Sequence, residues 1–145
     1  MENLTQQFCT FHVGDLFLGI AVQQVQEVFR FQQMTRVPLA PSAVHGLINL
    51  RGQIVMAVDV RTRLGLPARS SGRPPMNVVV RTDDGASTLL VGEIGGVQEV
   101  HAETFERPPE TLDSALRSLI LGTYKLTDRL LLVLDTAEAV RLQAA

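Results

Sequence analysis

The side chains of this chain that could carry out chemistry are few and widely spaced. His12, His45 and His101 lie too far apart for a metal-ligand spacing such as H-x-x-x-H. No G-x-S-x-G, P-loop or G-x-G-x-x-G occurs. The single cysteine, Cys9, sits in an apolar run, which reads as a buried structural thiol rather than a nucleophile and excludes an intramolecular disulfide. Glu27 and Glu99 fall at matching places in an internal repeat, and duplication accounts for them without carboxylate chemistry. The expectation is no catalytic residue, no metal and no cofactor, hence a protein that works by binding other proteins.

One segment stands apart. Asn49-Leu50-Arg51-Gly52 lies between two apolar runs, where Gly52 permits a tight turn. Its repeat counterpart is Lys125-Leu126-Thr127-Asp128, so duplication does not explain Arg51. An arginine beside apolar strand ends is costly to leave unpaired. Three readings stand: a plain surface turn, a structural ion pair with Glu27, or a guanidinium fixed in place for a partner.

The elements that must position these residues are strands. Apolar runs of strand length recur at Phe8–Val13, Phe17–Val22, Val25–Phe31, Leu47–Leu50, Ile54–Val60, Met76–Val80, Thr88–Ile94, Val97–Val100, Ser118–Leu126 and Leu130–Leu134. Gly, Asp, Pro and Asn punctuate them, and Asp84-Gly85 reads as a hairpin turn. Helical periodicity is brief, at Pro41–His45, Val60–Leu66, Thr111–Arg117 and a C-terminal Thr136–Gln143.

The chain repeats itself. Phe17–Val28 (FLGIAVQQVQEV) matches Leu89–Val100 (LLVGEIGGVQEV) at an offset of 72, and Gly46–Asp59 matches Gly122–Asp135 at an offset of 76, with Gly46/Gly122, Leu50/Leu126 and Asp59/Asp135 coinciding. Prolines lie between the blocks in both copies (Pro38 and Pro41; Pro108 and Pro109). The expected fold is all-β: two tandem five-stranded barrels, residues 1–68 and 76–145, joined by a Pro/Gly/Ser/Arg-rich linker at 69–75, with strands free to exchange between barrels. Closure removes sheet edges, and barrels this small should share apolar surface, leaving a groove between them as the place for a ligand.

Charge is unevenly spread over the 145 residues. Residues 1–75 carry seven basic and four acidic side chains, residues 76–145 six and eleven, which reads either as chance and solvated loops or as two halves facing different partners, with head-to-tail contacts between opposite charges. Nucleic-acid binding is disfavoured, because the basic half lacks a dense cluster, Trp is absent and aromatics make up 5%. The apolar runs are too short to span a bilayer. The start, Met-Glu-Asn-Leu-Thr, lacks a basic n-region and an apolar h-region. A cytoplasmic location without membrane insertion is expected.

The motifs F-x-V-G-D-x-x-x-G-I at Phe11–Ile20, V-Q-E-V at Val25–Val28, H-G-L-I-N-L-R-G at His45–Gly52, V-D-V-R at Val58–Arg61, L-L-V-G-E-I-G-G-V at Leu89–Val97 and D-R-L-L-L-V-L-D at Asp128–Asp135 together resemble the CheW family of chemotaxis coupling proteins, over about Gln7 to Val140. The resemblance implies two SH3-like five-stranded barrels in pseudo-twofold relation and no catalysis. It implies an adaptor that couples chemoreceptor signalling tips to the regulatory domain of a CheA-type histidine kinase, recruited to receptor arrays, with ring assembly among CheW-like domains. It places Arg51 on the family's characteristic arginine and Glu27 on its acidic partner. Val25, Gly46, Asn49 and Leu50, with Val78, Val79 and Val80, fall on or beside the receptor-binding groove. Gly92 departs from the family, which often has Asp there, and kinase-facing residues are less well marked. A CheW-like adaptor that binds receptors without the kinase, or a CheW-like module regulating another signalling enzyme, would share these motifs.

Overall fold

Ten apolar runs become ten strands, and their pairing sorts them into two five-stranded sheets. The computed structural model describes residues 4–67, 74–83 and 85–141. In chain order the strands are β1 (Thr5–Val13), β2 (Leu16–Ala21), β3 (Val25–Arg30), β4 (Val44–Leu50), β5 (Gln53–Asp59), β6 (Met76–Thr82), β7 (Gly85–Val91), β8 (Ile94–His101), β9 (Ile120–Lys125) and β10 (Leu130–Leu134). The helices are α1 (Val60–Arg63), α2 (Ser114–Arg117) and α3 (Thr136–Val140), with 3-10 turns at Val22–Gln24 and Ala102–Thr104. Pro41–His45, expected as helical, instead closes one turn through a Val44 N–H to Pro41 carbonyl bond of 2.9 Å. Pairing of Val44 with Val58 then draws the segment into β4.

The sheets do not follow the division at 1–68 and 76–145. Barrel I has the order β8-β1-β2-β10-β9 and barrel II the order β3-β6-β7-β5-β4. Of these SH3-like barrels, barrel I therefore takes its strands from both ends of the chain, and barrel II takes the five consecutive strands between them. The chain passes between barrels at β2 to β3 and at β7 to β8. The expected linker joins α1 to β6, whose neighbours lie in the same sheet, so it does not separate the barrels. Its residues 69–73, together with residue 68, lie outside the described residues, as does Asp84 of the expected hairpin turn, across which Thr82 pairs with Gly85.

Pairing also corrects the first repeat. Strands β5 and β10 correspond at the offset of 76. Strand β7 runs parallel to β5 with Ser87 opposite Met56, and β2 runs parallel to β10 with Leu18 opposite Leu132. Met56 and Leu132 are 76 apart, so Leu18 and Ser87 are counterparts, at an offset of 69. The same offset continues across the sheets. Val28 pairs with Val78, which sits in line with Leu89; Val97 pairs with Cys9, which sits in line with Ile20. The two V-Q-E-V tetrapeptides are thus three residues out of phase. An odd shift sends side chains to opposite faces, and accordingly Val97 is 64% exposed while Val25 packs against the core. The counterpart of Glu27 is Gly96, not Glu99.

The second repeat is structural at its two shared polar and small positions. Asp59 and Asp135 cap α1 and α3. Asp59 accepts from the N–H groups of Arg61 and Thr62, and Asp135 from that of Glu138. At Gly46 and Gly122 the preceding chain crosses the strand through isolated bridges, Thr35 to Leu47 and Glu106 to Thr123. A Cβ at either glycine would stand 2.6 Å from a main-chain oxygen, that of Thr35 or of Glu106.

Strands β2, β6, β7 and β10 are buried on both faces. One face fills its own barrel and the other meets the partner barrel. Leu132 and Leu134 lie in a cluster with Val58, Val78 and Leu89, which joins the barrels, whereas Leu131 and Val133 pack with Phe8 and Tyr124 inside barrel I. Each such side chain stabilises the fold by roughly 1.5–3 kcal/mol through removal from water. Strand exchange sharpens the charge asymmetry as well. Residues 22–91, which supply barrel II, carry eight basic and four acidic side chains, and the remainder carries five and eleven.

Candidate functional site

The β4–β5 hairpin has a two-residue loop. Leu50 pairs with Gln53, leaving Arg51 (φ 51°) and Gly52 (φ 88°) as the central residues, both in the left-handed region. That is the signature of a type I′ turn, whose twist matches the flanking strands and which favours Asn-Gly or Asp-Gly. Gly52 adopts it freely, whereas an arginine in this region costs on the order of 1 kcal/mol. Two contacts offset the cost. The Gly52 N–H donates to the Asn49 side-chain oxygen at 2.8 Å, and the Arg51 guanidinium donates to both carboxylate oxygens of Glu27, Nη1 to Oε2 at 2.6 Å and Nη2 to Oε1 at 3.1 Å.

This pair has a topological role. Strands β3 and β4 are the opposite edges of barrel II. Glu27 on β3 and Arg51 at the tip of the β4–β5 hairpin join those edges across the barrel seam. A two-pronged charge-assisted contact fixes the guanidinium plane as well as its position. The arginine side chain is 75% exposed and the glutamate 24%, so the pair itself stabilises the fold by no more than about 1 kcal/mol. What it produces is an oriented cation on the surface, with its Nε–H and outer Nη–H groups unused by Glu27.

The other predicted site residues divide. Asn49 is exposed and Leu50 is half-buried beside the turn. Val25 is half-buried against the core that joins the barrels. Gly46 is buried beneath Thr35, which gives it a structural reason to be glycine. Val78, Val79 and Val80 are fully buried on β6, flanked by β3 and β7; they support β3 from behind and present no side chain to solvent. Two apolar surface residues near the turn were not anticipated from sequence. Ile54, opposite Asn49 in register, is 60% exposed, and Val28, next to Glu27, is 38% exposed. Ile54 begins an unbroken apolar run, Ile54–Val58, in which no alternation marks it as outward-facing. On β3 the outward Gln26 also accepts from Arg81 Nη2 at 3.1 Å.

Barrel I has no equivalent pair, because Gly96 and Thr127 occupy the places of Glu27 and Arg51. There the space between β8 and the β9–β10 turn is a groove of about 360 Å³, bordered by Glu99, His101, Tyr124 and Asp128. Burial pushes the Cys9 thiol up, away from the reactive thiolate. Among the described residues, no group of three or more His, Cys, Asp or Glu side chains is placed to hold a metal ion, and no helix is long and apolar enough to cross a membrane.

Comparison with known proteins points one way. A family profile described as the CheW-like domain matches residues 7–144. The chemotaxis protein CheW of Klebsiella aerogenes is 27% identical over 134 residues, spanning 92% of this chain and 81% of that one. CheW of Helicobacter pylori is 29% identical over 135 residues, spanning 93% and 81%. The crystal structure of the scaffolding protein TtCheW from Thermoanaerobacter tengcongensis superposes with a TM-score of 0.82 over 90% of this chain and 89% of that chain. At 22% identity that likeness speaks to the fold.

Proposed function

The chain belongs to the CheW-like family of chemotaxis scaffold proteins, and from that premise we propose that it is a non-enzymatic adaptor coupling chemoreceptor signalling tips to the regulatory domain of a CheA-type histidine kinase. The receptor-facing surface in this reading is the β3 and β4–β5 region around Arg51 and Glu27. The observation that carries it is the bidentate pair of 2.6 and 3.1 Å at the tip of a left-handed turn. A side chain held in a disfavoured backbone conformation, yet three-quarters exposed, is better explained by what it presents than by what it stabilises. Exposed Ile54 and Val28 supply apolar area near it, in keeping with interfaces that rest on a few anchors around a polar contact. A helical tip laid into such a surface would follow the helix-in-groove mode of recognition.

The kinase contact and ring assembly fit the opposite charge of the two barrels, which favours end-to-end association. In this role the protein works in the cytoplasm, drawn to receptor arrays by its partners.

The test is a binding experiment with two separate partners, a receptor signalling tip and the kinase regulatory domain. Both should bind the wild-type chain, and Arg51→Ala should lose the tip while keeping the kinase domain. Binding to the tip alone would reduce the role to a receptor adaptor. Binding to neither would leave a CheW-like module that regulates another enzyme.

A further inference from the structure

We infer that Asn49 is a positioning residue for Arg51: its side chain holds the turn that puts the guanidinium on Glu27, and it does not itself meet a partner. The backbone sets the problem. Among the described non-glycine residues only Leu39 and Arg51 have positive φ. A type I′ turn ordinarily places Asn, Asp or Gly where Arg51 stands, so the left-handed state of this arginine needs support from outside the residue. Asn49 supplies it from two positions upstream. Its carboxamide oxygen accepts the Gly52 N–H at 2.8 Å, tying the second turn residue back to the end of β4. With Gly52 pinned from behind and Glu27 holding the guanidinium in front, Arg51 has little freedom left.

The counterpart hairpin in barrel I, β9–β10, serves as an internal control. Lys125 stands where Asn49 does and Thr127 where Arg51 does, at the offset of 76. Leu126 faces Arg129 there as Leu50 faces Gln53, its N–H donating to the Arg129 carbonyl at 2.8 Å, yet none of the turn residues has positive φ. Of these two counterpart hairpins, the asparagine occurs in the one that carries the left-handed arginine.

The consequence for binding rests on Arg51 being a partner contact, so the test separates the two claims. The first readout is the wild-type fold in solution. The amide-to-α-proton coupling and carbon shifts of residue 51 report the sign of its φ, and its Nε–H and Nη resonances report the bond to Glu27. Asn49 is exposed, so Asn49→Ala leaves the core intact, which circular dichroism checks. Asn49→Ala should lose the left-handed signature and the carboxylate bond, and Asn49→Asp, which keeps the acceptor, should retain both. The second readout is affinity for a receptor signalling tip. Asn49→Ala should weaken it about 5–10-fold, Asn49→Asp should restore it, and adding Asn49→Ala to Arg51→Ala should change it less than about 2-fold. Persistence of the left-handed Arg51 in Asn49→Ala would overturn the inference, as would an equal loss of affinity in the Arg51→Ala background, which would make Asn49 a direct contact. If residue 51 reorganises while even the wild-type chain ignores the tip, Asn49 keeps its positioning role and the receptor reading falls.

Discussion

The guanidinium of Arg63 in α1 donates to the main-chain carbonyl of Glu138 in α3 at 3.0 Å, and its Nε reaches the carbonyl of Ala139 at 3.2 Å. A side chain that follows β5 of barrel II thus finishes a helix that follows β10 of barrel I. The Glu138 carbonyl also accepts the Arg141 N–H at 3.2 Å, and a cation at a helix end meets the negative end of the helix dipole.

Arg63→Ala should therefore destabilise the fold by about 1–2 kcal/mol, with Arg63→Lys recovering only part because one ammonium cannot span two carbonyls in a fixed plane. Urea unfolding at constant m-value measures this. No change in midpoint would show that solvent replaces the contact.

The aspartates that end β5 and β10 should behave alike. Asp59→Ala and Asp135→Ala each remove a helix cap, at a cost of about 0.5–2 kcal/mol. Asn at either place keeps an acceptor oxygen and should cost less. The double variant should depart from additivity, since Arg63 of the helix capped by Asp59 bonds the end of the helix capped by Asp135. Thermal unfolding of the four proteins decides it.

Gly46→Ala and Gly122→Ala test whether these glycines are structural. The new methyl would sit 2.6 Å from a main-chain oxygen in each case, so the crossing segment must shift, and a loss of about 1–3 kcal/mol is expected. A Gly46 variant that keeps wild-type stability but fails to bind a receptor tip would instead make this glycine part of the contact surface.

Inside barrel II, Thr88 Oγ1 donates to Asn77 Oδ1 at 3.0 Å, and Asn77 Nδ2 donates to the Arg30 carbonyl at 3.2 Å. Both side chains are fully buried. Thr88→Val keeps the shape and strands the Asn77 oxygen, so about 1–3 kcal/mol should be lost in chemical denaturation. Pairing Thr88→Val with Asn77→Leu should restore part of it only if the leucine fits the space.

Glu27→Ala should leave overall stability within about 1 kcal/mol of wild type, given the exposure of its partner, and yet weaken receptor-tip binding by freeing the Arg51 side chain. Arg51→Lys should fall between wild type and Arg51→Ala, because an ammonium keeps the charge but not the fork. Titration calorimetry against the tip, with unfolding curves alongside, separates the two effects. Wild-type affinity in Glu27→Ala would show that the pair does not organise the surface.

Much of this was legible in the residues. Ten apolar runs with polar punctuation gave ten strands, and the second repeat carried true counterparts because its caps and crossings have local causes. The meeting of Glu27 with Arg51 could be named as one of three readings of the turn, because an arginine between apolar strands needs an acid nearby, but the choice of Glu27 rests on the repeat and the family resemblance. What could not be read was neighbourhood. Alternation says which face of a strand is apolar, not which strand lies beside it, so the pairing of β2 with β10 and of β5 with β7 left no trace in sequence. For the same reason an identical tetrapeptide misled: V-Q-E-V fits both faces of an edge strand, and pairing with β6 and β1 fixed the phase instead. Val78, Val79 and Val80 are placed beside the groove by the family resemblance alone, and three consecutive valines do not reveal that both sides of β6 are covered.

The exchange of strands bears on what a cut in the chain would do. Backbone cleavage within residues 68–73 would yield two pieces, yet each piece would hold β-strands of both sheets, and neither could leave without breaking both. The nicked protein should migrate as one particle until denatured, and separately produced halves should recover a fold only when mixed. A break between β2 and β3 would act differently, cutting loose an N-terminal hairpin held by its place between β8 and β10 and by the core that joins the barrels.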